Sequence, residues 1–306
     1  MLRLLLHPDA DERATVDAWG GVECRSVTDP ASAAEAARQA AADGVERVVA
    51  VGGDGTVHLV ANGLMALGPD ERPALGVLPM GTGNDLARTL GFDPDEDPAT
   101  LVTRLRDAEL RAVDVLRATS AGATRYIINA LTGGFSGALH DALTDEQKAA
   151  WGPFAYLISA VETLPDLEPF RVDVGWEDGP PETLSVLNLA VANGRTAGGN
   201  GPVAPRASLE DGLLDVVLVR DAPALDLARL ATRALAAHGG GPDYLDDDLV
   251  VFNQARSVRL ASEPGLPLVA DGEPWCDTPF EVRVVPGALR VAVGPDYVRT
   301  PGLQRA

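Results

Sequence analysis

The apolar run Val48-Val49-Ala50-Val51 passes directly into Gly52-Gly53-Asp54-Gly55-Thr56, and a helix-like run then continues to about Leu67. A strand that turns sharply into a helix through glycines makes a phosphate site. Backbone N–H groups and the positive helix end converge there, and no side chain blocks the approach. Asp54 inside such a turn would repel a bare phosphate. It makes sense with a divalent cation between them, as in phosphoryl transfer. The local reading is a nucleotide-handling turn, suited to ATP with Mg²⁺. Gly52, Gly53, Gly55 and Thr56 would cradle phosphate, Val57 and His58 would complete the contact set, and Asp54 would meet the metal.

A second stretch repeats the pattern. Ala74 to Leu78 reads as a buried strand, Pro79-Met80-Gly81-Thr82-Gly83-Asn84-Asp85 as a turn, and Leu86 to Leu90 as the next helix. Two strand–glycine turn–helix units in succession put both turns at one edge of a parallel sheet. Gly81 and Gly83 would extend the cradle, and Thr82 and Asn84 would donate hydrogen bonds to the ligand. Asp85 would cap the helix of residues 86–90.

Alternating signals surround these turns. Leu2 to Leu6 is a short apolar strand. Asp29-Pro30 reads as an N-cap followed by proline at the first helical position, and Ala31 to Asp43 as an alanine-rich helix closed by Gly44. This predicts a parallel sheet covered by helices. The acidic segment Phe92 to Pro98 reads as a solvated linker or cap.

From about Val113 the pattern changes to short strands with Gly and Pro turns. They fall near 113–116, 125–129, 171–174, 184–188, 216–219, 257–260 and 281–285, with helices near 138–165 and 224–238. That series predicts an antiparallel sandwich or barrel. The expected fold class is an α/β nucleotide domain with a parallel sheet, then a larger β-rich sandwich domain, with the active site in the cleft between them. The expected boundaries are residues 1–116, 117–298, and a tail 299–306 returning to the first domain.

Charge restricts the partners. The formal net charge is −20 and Lys148 is the one lysine. An acidic surplus argues against nucleic-acid binding, which needs a basic face, and against strong docking on an anionic bilayer. No apolar run approaches a membrane span, and Met1 to Leu6 is too short for a signal peptide. Two distant cysteines, Cys24 and Cys276, do not make a disulfide framework. The reading is a cytoplasmic protein, with peripheral contact at the inner membrane face and a homodimer both left open.

GGDGTVHLVANGL at 52–64 and LPMGTGNDLAR at 78–88 resemble the diacylglycerol kinase catalytic-domain family. That family includes bacterial lipid kinases and sphingosine and ceramide kinases, with NAD kinases as distant relatives. Asn193-Gly194-Arg195 with Gly198-Gly199, Leu209 to Asp215, and Asp271-Gly272-Glu273 also match, in family order over most of the chain. The resemblance implies an ATP- and Mg²⁺-dependent lipid kinase of phospholipid metabolism, with diacylglycerol as the type of substrate.

The same resemblance implies site roles. Asp271-Gly272-Glu273, which alone would read as a hairpin turn, becomes the catalytic segment facing the glycine turns. A carboxylate must accept the hydroxyl proton, and either Asp271 or Glu273 would serve. The Ser208–Asp215 loop resembles a structural-cation loop, with the Asp211 side chain and the Ser208 and Leu213 carbonyls as ligands. Its bland alternative is a hairpin with an Asp-Gly turn. Asn193 to Gly199 would form a flexible turn on the substrate side. Thr28 falls where relatives carry a nucleotide-contacting threonine. Trp151, Phe154, Tyr156, Leu157 and Ile158 would line an acyl site or simply pack a core helix.

Two features depart from the family. His7-Pro8-Asp9-Ala10-Asp11 replaces the usual Asn-Pro-x-x-Gly phosphate loop, and His58 stands where the family often carries Asn. Competing readings are a kinase of a soluble alcohol such as NAD, favoured by the charge, and a non-catalytic nucleotide or lipid-binding regulator, favoured by the altered first loop.

Overall fold

The computed structural model describes residues 2–6, 22–134, 168–177, 179–238 and 243–299. Strands β1 (Leu2–Leu6), β2 (Glu23–Ser26), β3 (Arg47–Gly52) and β4 (Ala74–Pro79) pair in parallel, in the order β2-β1-β3-β4. All six residues of β4 and five of six in β3 are buried. This is the near-continuous apolar pattern of strands covered on both faces.

The helices that cover them start where the sequence signals say. In α1 (Pro30–Ala42) the Asp29 carboxylate accepts from Ala31 and Ser32 N–H, and Ser32 closes a capping box. Helix α2 (Asp54–Met65) leaves β3 directly through Gly53. α1 presents small alanines, so α2 approaches closely. A Cβ on Gly63 would sit 2.6 Å from the Ala33 carbonyl oxygen. Short helix α3 (Asp85–Thr89) follows β4, and α4 (Pro98–Asp107) begins at the Asp97 cap.

An arginine is buried inside this unit. Arg3 on β1 is 2% exposed and meets Glu23 at 2.5 Å and Asp43 at 2.7 Å. The arginine holds both carboxyls below their ordinary values, chiefly through its hydrogen bonds. Depressed carboxyls stabilise the fold above their unfolded pKa and lose that contribution as pH falls through the folded one. Arg3→Met is therefore expected to melt a few degrees below the parent at pH 7. The gap should narrow as pH drops from 6 towards 3, as thermal denaturation across that range would show.

The remaining strands pair antiparallel with one another. They are β5 (Glu109–Ser120), β6 (Ala123–Ile127), β7 (Ala130–Gly134), β8 (Phe170–Trp176), β9 (Glu182–Ala192), β10 (Thr196–Ala197), β11 (Gly201–Pro202) and β12 (Leu214–Arg220). After α5 (Ala224–His238) come β13 (Val250–Ala255), β14 (Ser257–Ser262), β15 (Pro267–Ala270), β16 (Glu273–Asp277) and β17 (Phe280–Val293). Residues such as Leu116, Val174, Leu189, Val216 and Leu260 point into one core between strands of this unit. A second, smaller core lies under α5.

The two units share strand β17. It pairs antiparallel with β5 on both sides of a register shift between Val285 and Leu289, and beyond the shift Val291 also pairs in parallel with Leu75 of β4. Leu289, Val291, Ala292 and Val293 join the core of the first unit. Gly91, at φ 80°, lets Tyr297 lie against it, since a Cβ there would be 2.1 Å from the Tyr297 nitrogen. The chain thus reaches the first unit through residues 289–297. Residues 300–306 lie outside the described residues. Among the described residues, no helix is long and apolar enough to cross a membrane.

Candidate functional site

The two glycine turns touch. β3 and β4 run in register to Gly52 and Pro79, and Met80 N–H donates to the Gly52 carbonyl at 3.0 Å. A Cβ on Gly81 would lie 2.3 Å from the Gly53 Cα, and one on Gly52 would lie 2.5 Å from Thr56 Oγ1. Glycine is required here by close approach of backbone to backbone and to Thr56. Asn84 adopts φ 54° and turns its amide back on the loop. Its Oδ1 accepts from Gly81 N–H at 3.0 Å and its Nδ2 donates to the Gly81 carbonyl at 2.6 Å. The Asn84 amide thus closes its own turn. Thr82 is exposed on the same turn.

Asp54 takes the helix-capping role expected of Asp85. Asp54 Oδ1 accepts from Asp85 N–H at 3.0 Å and Leu86 N–H at 3.5 Å, so Asp54 caps α3 from another element. Asp85 does not cap its own helix. Its carboxylate accepts from Gly199 N–H at 2.9 Å and Asn200 N–H at 2.7 Å, and so holds the loop after β10 against the second turn. Burial first, then the Asp85 charge, push the Asp54 carboxyl up to about 7, against the N–H bonds from Leu86 and Asp85. A carboxylate that is costly as a lone anion fits a cation-assisted site, because a nearby cation favours its charged form.

The third component comes from the far unit. β15 and β16 pair with Ala270 opposite Glu273, joined by Asp271 at φ 48° and Gly272 at φ 90°. Positive φ at both central residues is the type I′ hairpin turn that Asp-Gly favours. The hairpin and the catalytic readings of this segment thus describe one object. Asp271 is 6% exposed. Its Oδ1 accepts from Asn129 N–H at 2.9 Å and Ala130 N–H at 3.0 Å, and its Oδ2 from Ile128 N–H at 3.0 Å. The fourth partner is His58 Nδ1, at 2.8 Å from Oδ2. These four bonds fill the sites a carboxylate offers. Glu273, in contrast, is exposed, and its Oε1 lies 2.6 Å from where a Cβ on Gly55 would stand, beside the first turn of α2.

His58 departs from its expected place. It is buried and turned away from the phosphate turn, towards Asp271. One helical turn on, Asn62 makes a two-point contact with β6. Its Oδ1 accepts from Tyr126 N–H at 2.9 Å, and its Nδ2 donates to the Tyr126 carbonyl at 2.8 Å. The only sign of this in the sequence is the i, i+4 spacing of His58 and Asn62, which puts both on one helix face.

The loop after β9, expected as a flexible turn on the substrate side, is pinned by several side-chain bonds. Asn193 Nδ2 donates to the carbonyls of Asp114 and Ile128, and Asn129 Nδ2 donates to that of Thr196. Arg195 donates to the carbonyls of Ala207 and Val298. Thr28 stands at the same edge of the parallel sheet, two strands out. It is exposed, and its hydroxyl donates to Asp29.

The Ser208–Asp215 loop forms a separate place. Ser208 Oγ donates to the Arg299 carbonyl at 2.7 Å, and Asp211 Oδ1 accepts from Leu213 N–H at 3.0 Å. Burial, then Asp114, raises the Asp211 carboxyl; burial, then Asp211, pushes Asp215 up to about 7. Among the described residues, no group of three or more His, Cys, Asp or Glu side chains is placed to hold a metal ion. The His7–Asp11 segment and the helix expected near 138–165, with Trp151, Phe154, Tyr156, Leu157 and Ile158, lie outside the described residues.

Comparison with known proteins agrees with this arrangement. Residues 12–118 match the diacylglycerol kinase catalytic domain, and residues 130–293 match the YegS C-terminal NAD kinase beta sandwich-like domain. A probable lipid kinase YegS-like of Chromohalobacter salexigens is 34% identical over 257 residues, covering 84% of this chain and 78% of the relative. A diacylglycerol kinase of Bacillus subtilis is 32% identical over 241 residues, covering 79% and 75%. A crystal structure of a putative diacylglycerol kinase from Bacillus anthracis shares the fold, with a TM-score of 0.76 at 24% identity over 96% of this chain and 97% of that one. An NAD kinase from Archaeoglobus fulgidus is a more distant structural neighbour, with a TM-score of 0.52 at 14% identity over 99% and 97%. With both domains matched in order and relatives above 30% identity along most of its length, the chain belongs to the diacylglycerol kinase catalytic-domain family and is a phosphotransferase with an alcohol acceptor.

Proposed function

We propose that this protein transfers the γ-phosphoryl group of ATP to the hydroxyl of a diacylglycerol-like lipid, with Mg²⁺. The observation that carries the reading is convergence. Both glycine turns, the Asp271–Glu273 hairpin and the loop held by Asp85 come within contact distance of one another. We place the substrate cleft at this junction, between a nucleotide unit of residues 1–116 completed by residues 289–297 and a β-rich unit made of the intervening residues. The nucleotide phosphates belong on the glycine turns, and Asp54 is the side chain to hold the cation beside them. Mg²⁺ there would neutralise charge on the phosphate oxygens.

The chain's own residues supply the rest. The lipid hydroxyl oxygen forms the new bond to phosphorus, the bond to the leaving ADP oxygen breaks, and the hydroxyl proton goes to a carboxylate. Glu273 is the better acceptor, because it is exposed beside α2, whereas the Asp271 oxygens are already occupied by four donors. Asp271 orients the turn that presents Glu273. The Ser208, Asp211 and Leu213 loop would serve as a structural cation site apart from this chemistry. Lipid would be reached by peripheral contact with a membrane face.

The test is a transfer assay with labelled ATP and Mg²⁺ against diacylglycerol, sphingosine, other lipid alcohols and NAD. Label on diacylglycerol is the expected result. Label on NAD alone would replace the lipid reading with the soluble-alcohol one, which the net charge of −20 favours. Tight ATP binding with label on no acceptor would favour a regulator.

A further inference from the structure

Helix α2 begins at the phosphate turn and touches the acceptor-side wall one and two turns later. His58 Nδ1 meets Asp271 Oδ2 at 2.8 Å, and both side chains are nearly fully buried. A carboxylate oxygen accepts, so Nδ1 carries the hydrogen. Asn62 binds both backbone groups of Tyr126. It also donates to the His58 carbonyl at 2.9 Å, which ties the two residues together. Asp271 in turn gathers the N–H groups of Ile128, Asn129 and Ala130. One helix face thereby fixes the end of β6, the start of β7 and the β15–β16 turn.

Glu273 is two residues beyond Asp271 and faces Gly55, the second residue of the same helix. The chain therefore makes a closed circuit. It runs from the phosphate turn along α2 to His58, across to Asp271, and through the hairpin back to Glu273 beside the phosphate turn.

We propose that His58 and Asn62 form a latch that sets the distance between the phosphate cradle and the proton-accepting hairpin. They are positioning residues and do not touch the substrate. This rests on the kinase reading of the cleft. Transfer to a bound alcohol depends on the spacing of donor and acceptor, and displacement of about 1 Å can cost about 100-fold in rate. A slackened latch would let water reach the γ-phosphorus in place of the lipid oxygen. Water then forms the new P–O bond and gives up a proton to solvent, the bond to the ADP oxygen breaks, and inorganic phosphate is the product.

His58→Leu removes the donor and keeps an apolar volume. It is expected to lower lipid kcat by about 10- to 100-fold, with ATP affinity changed by less than about threefold. The ratio of ATP hydrolysis to lipid phosphorylation should rise. His58→Asn should recover most of the rate, because an asparagine Nδ2 stands where the imidazole Nδ1 stood. If His58→Leu does not fold, His58→Met, which also lacks a donor, takes its place. Equal rates in the parent and the donor-less variant would overturn the latch. So would an asparagine variant no better than the leucine one.

Amide hydrogen exchange separates this proposal from the kinase reading. Ile128, Asn129 and Ala130 should lose protection in His58→Leu and keep it in His58→Asn, whatever the acceptor is. Unchanged protection in the leucine variant would overturn the latch even in an active kinase. A parent enzyme that labels no alcohol would overturn the kinase reading while exchange still reports on the latch.

Discussion

Replacing Glu273 by glutamine is expected to lower lipid turnover by about 10²–10⁴-fold, the usual range for loss of a general base, or roughly 3–5 kcal/mol of barrier. The amide keeps the shape of the side chain and removes its basicity. ATP affinity should change by only a few-fold, because the proton is taken in the transition state. Thermal stability should be nearly unaffected, since the side chain is exposed. Asp271→Asn should behave differently. Its new NH₂ must face either the Ile128 N–H and His58 or the N–H groups of Asn129 and Ala130. Leaving buried donors opposed costs about 1–3 kcal/mol, so this variant should lose stability together with activity. Steady-state kinetics and thermal melts of the two variants separate the roles. A glutamine variant with parental kcat, beside an asparagine variant that folds normally and is inactive, would reverse the assignment.

Gly81→Ala should have the second large effect, on nucleotide binding. The new Cβ would be placed 2.3 Å from the Gly53 Cα and 3.1 Å from its nitrogen, so backbone must move. Overpacking of this kind costs about 1–3 kcal/mol of stability. Its larger consequence is geometric. The two turns must separate, and the N–H groups aimed at phosphate separate with them. ATP affinity should fall at least about tenfold, which corresponds to about 1.4 kcal/mol. Gly272→Ala supplies the contrast, because a Cβ there meets nothing within 4 Å. It should cost only the strain of a positive φ and leave ATP affinity unchanged. Calorimetric titration of ATP with Mg²⁺ into both folded variants checks this. Parental affinity in Gly81→Ala would move the phosphate site elsewhere.

The parallel sheet and both glycine turns were legible because their information is local. A buried strand, a glycine that admits backbone contact and a helix cap each leave a mark within a few residues. Asp29-Pro30 before α1 and Gly52-Gly53 before α2 are examples. The Asp271–Gly272 turn was equally legible as a hairpin.

What sequence could not show is how polar side chains divide their bonds across long separations. Asp54 reaches the start of α3 and Asp85 reaches Gly199, so each serves an element other than its own. His58 meets Asp271 across 213 positions. The resemblance to a family of kinases placed His58 with the nucleotide because its neighbours belong there. Helical geometry turns position 58 away from the phosphate and towards the opposite wall. Asn84 has bonds that sequence does not show either: a left-handed turn folds its short amide back on its own loop, and no spacing rule exposes that.

Strand β17 spans both units, and this bears on the order in which the protein can be made. Residues 289–293 supply core side chains to a unit whose other strands are translated more than 200 positions earlier. While the ribosome is still reading the middle of the chain, β4 has no neighbour on its outer side. The nascent nucleotide unit therefore carries an open sheet edge for most of synthesis, the kind of edge that invites pairing with another chain. Completion of the first unit is deferred to the last strand, so a chain stalled before residue 289 should be recognised by chaperones as unfinished in both halves.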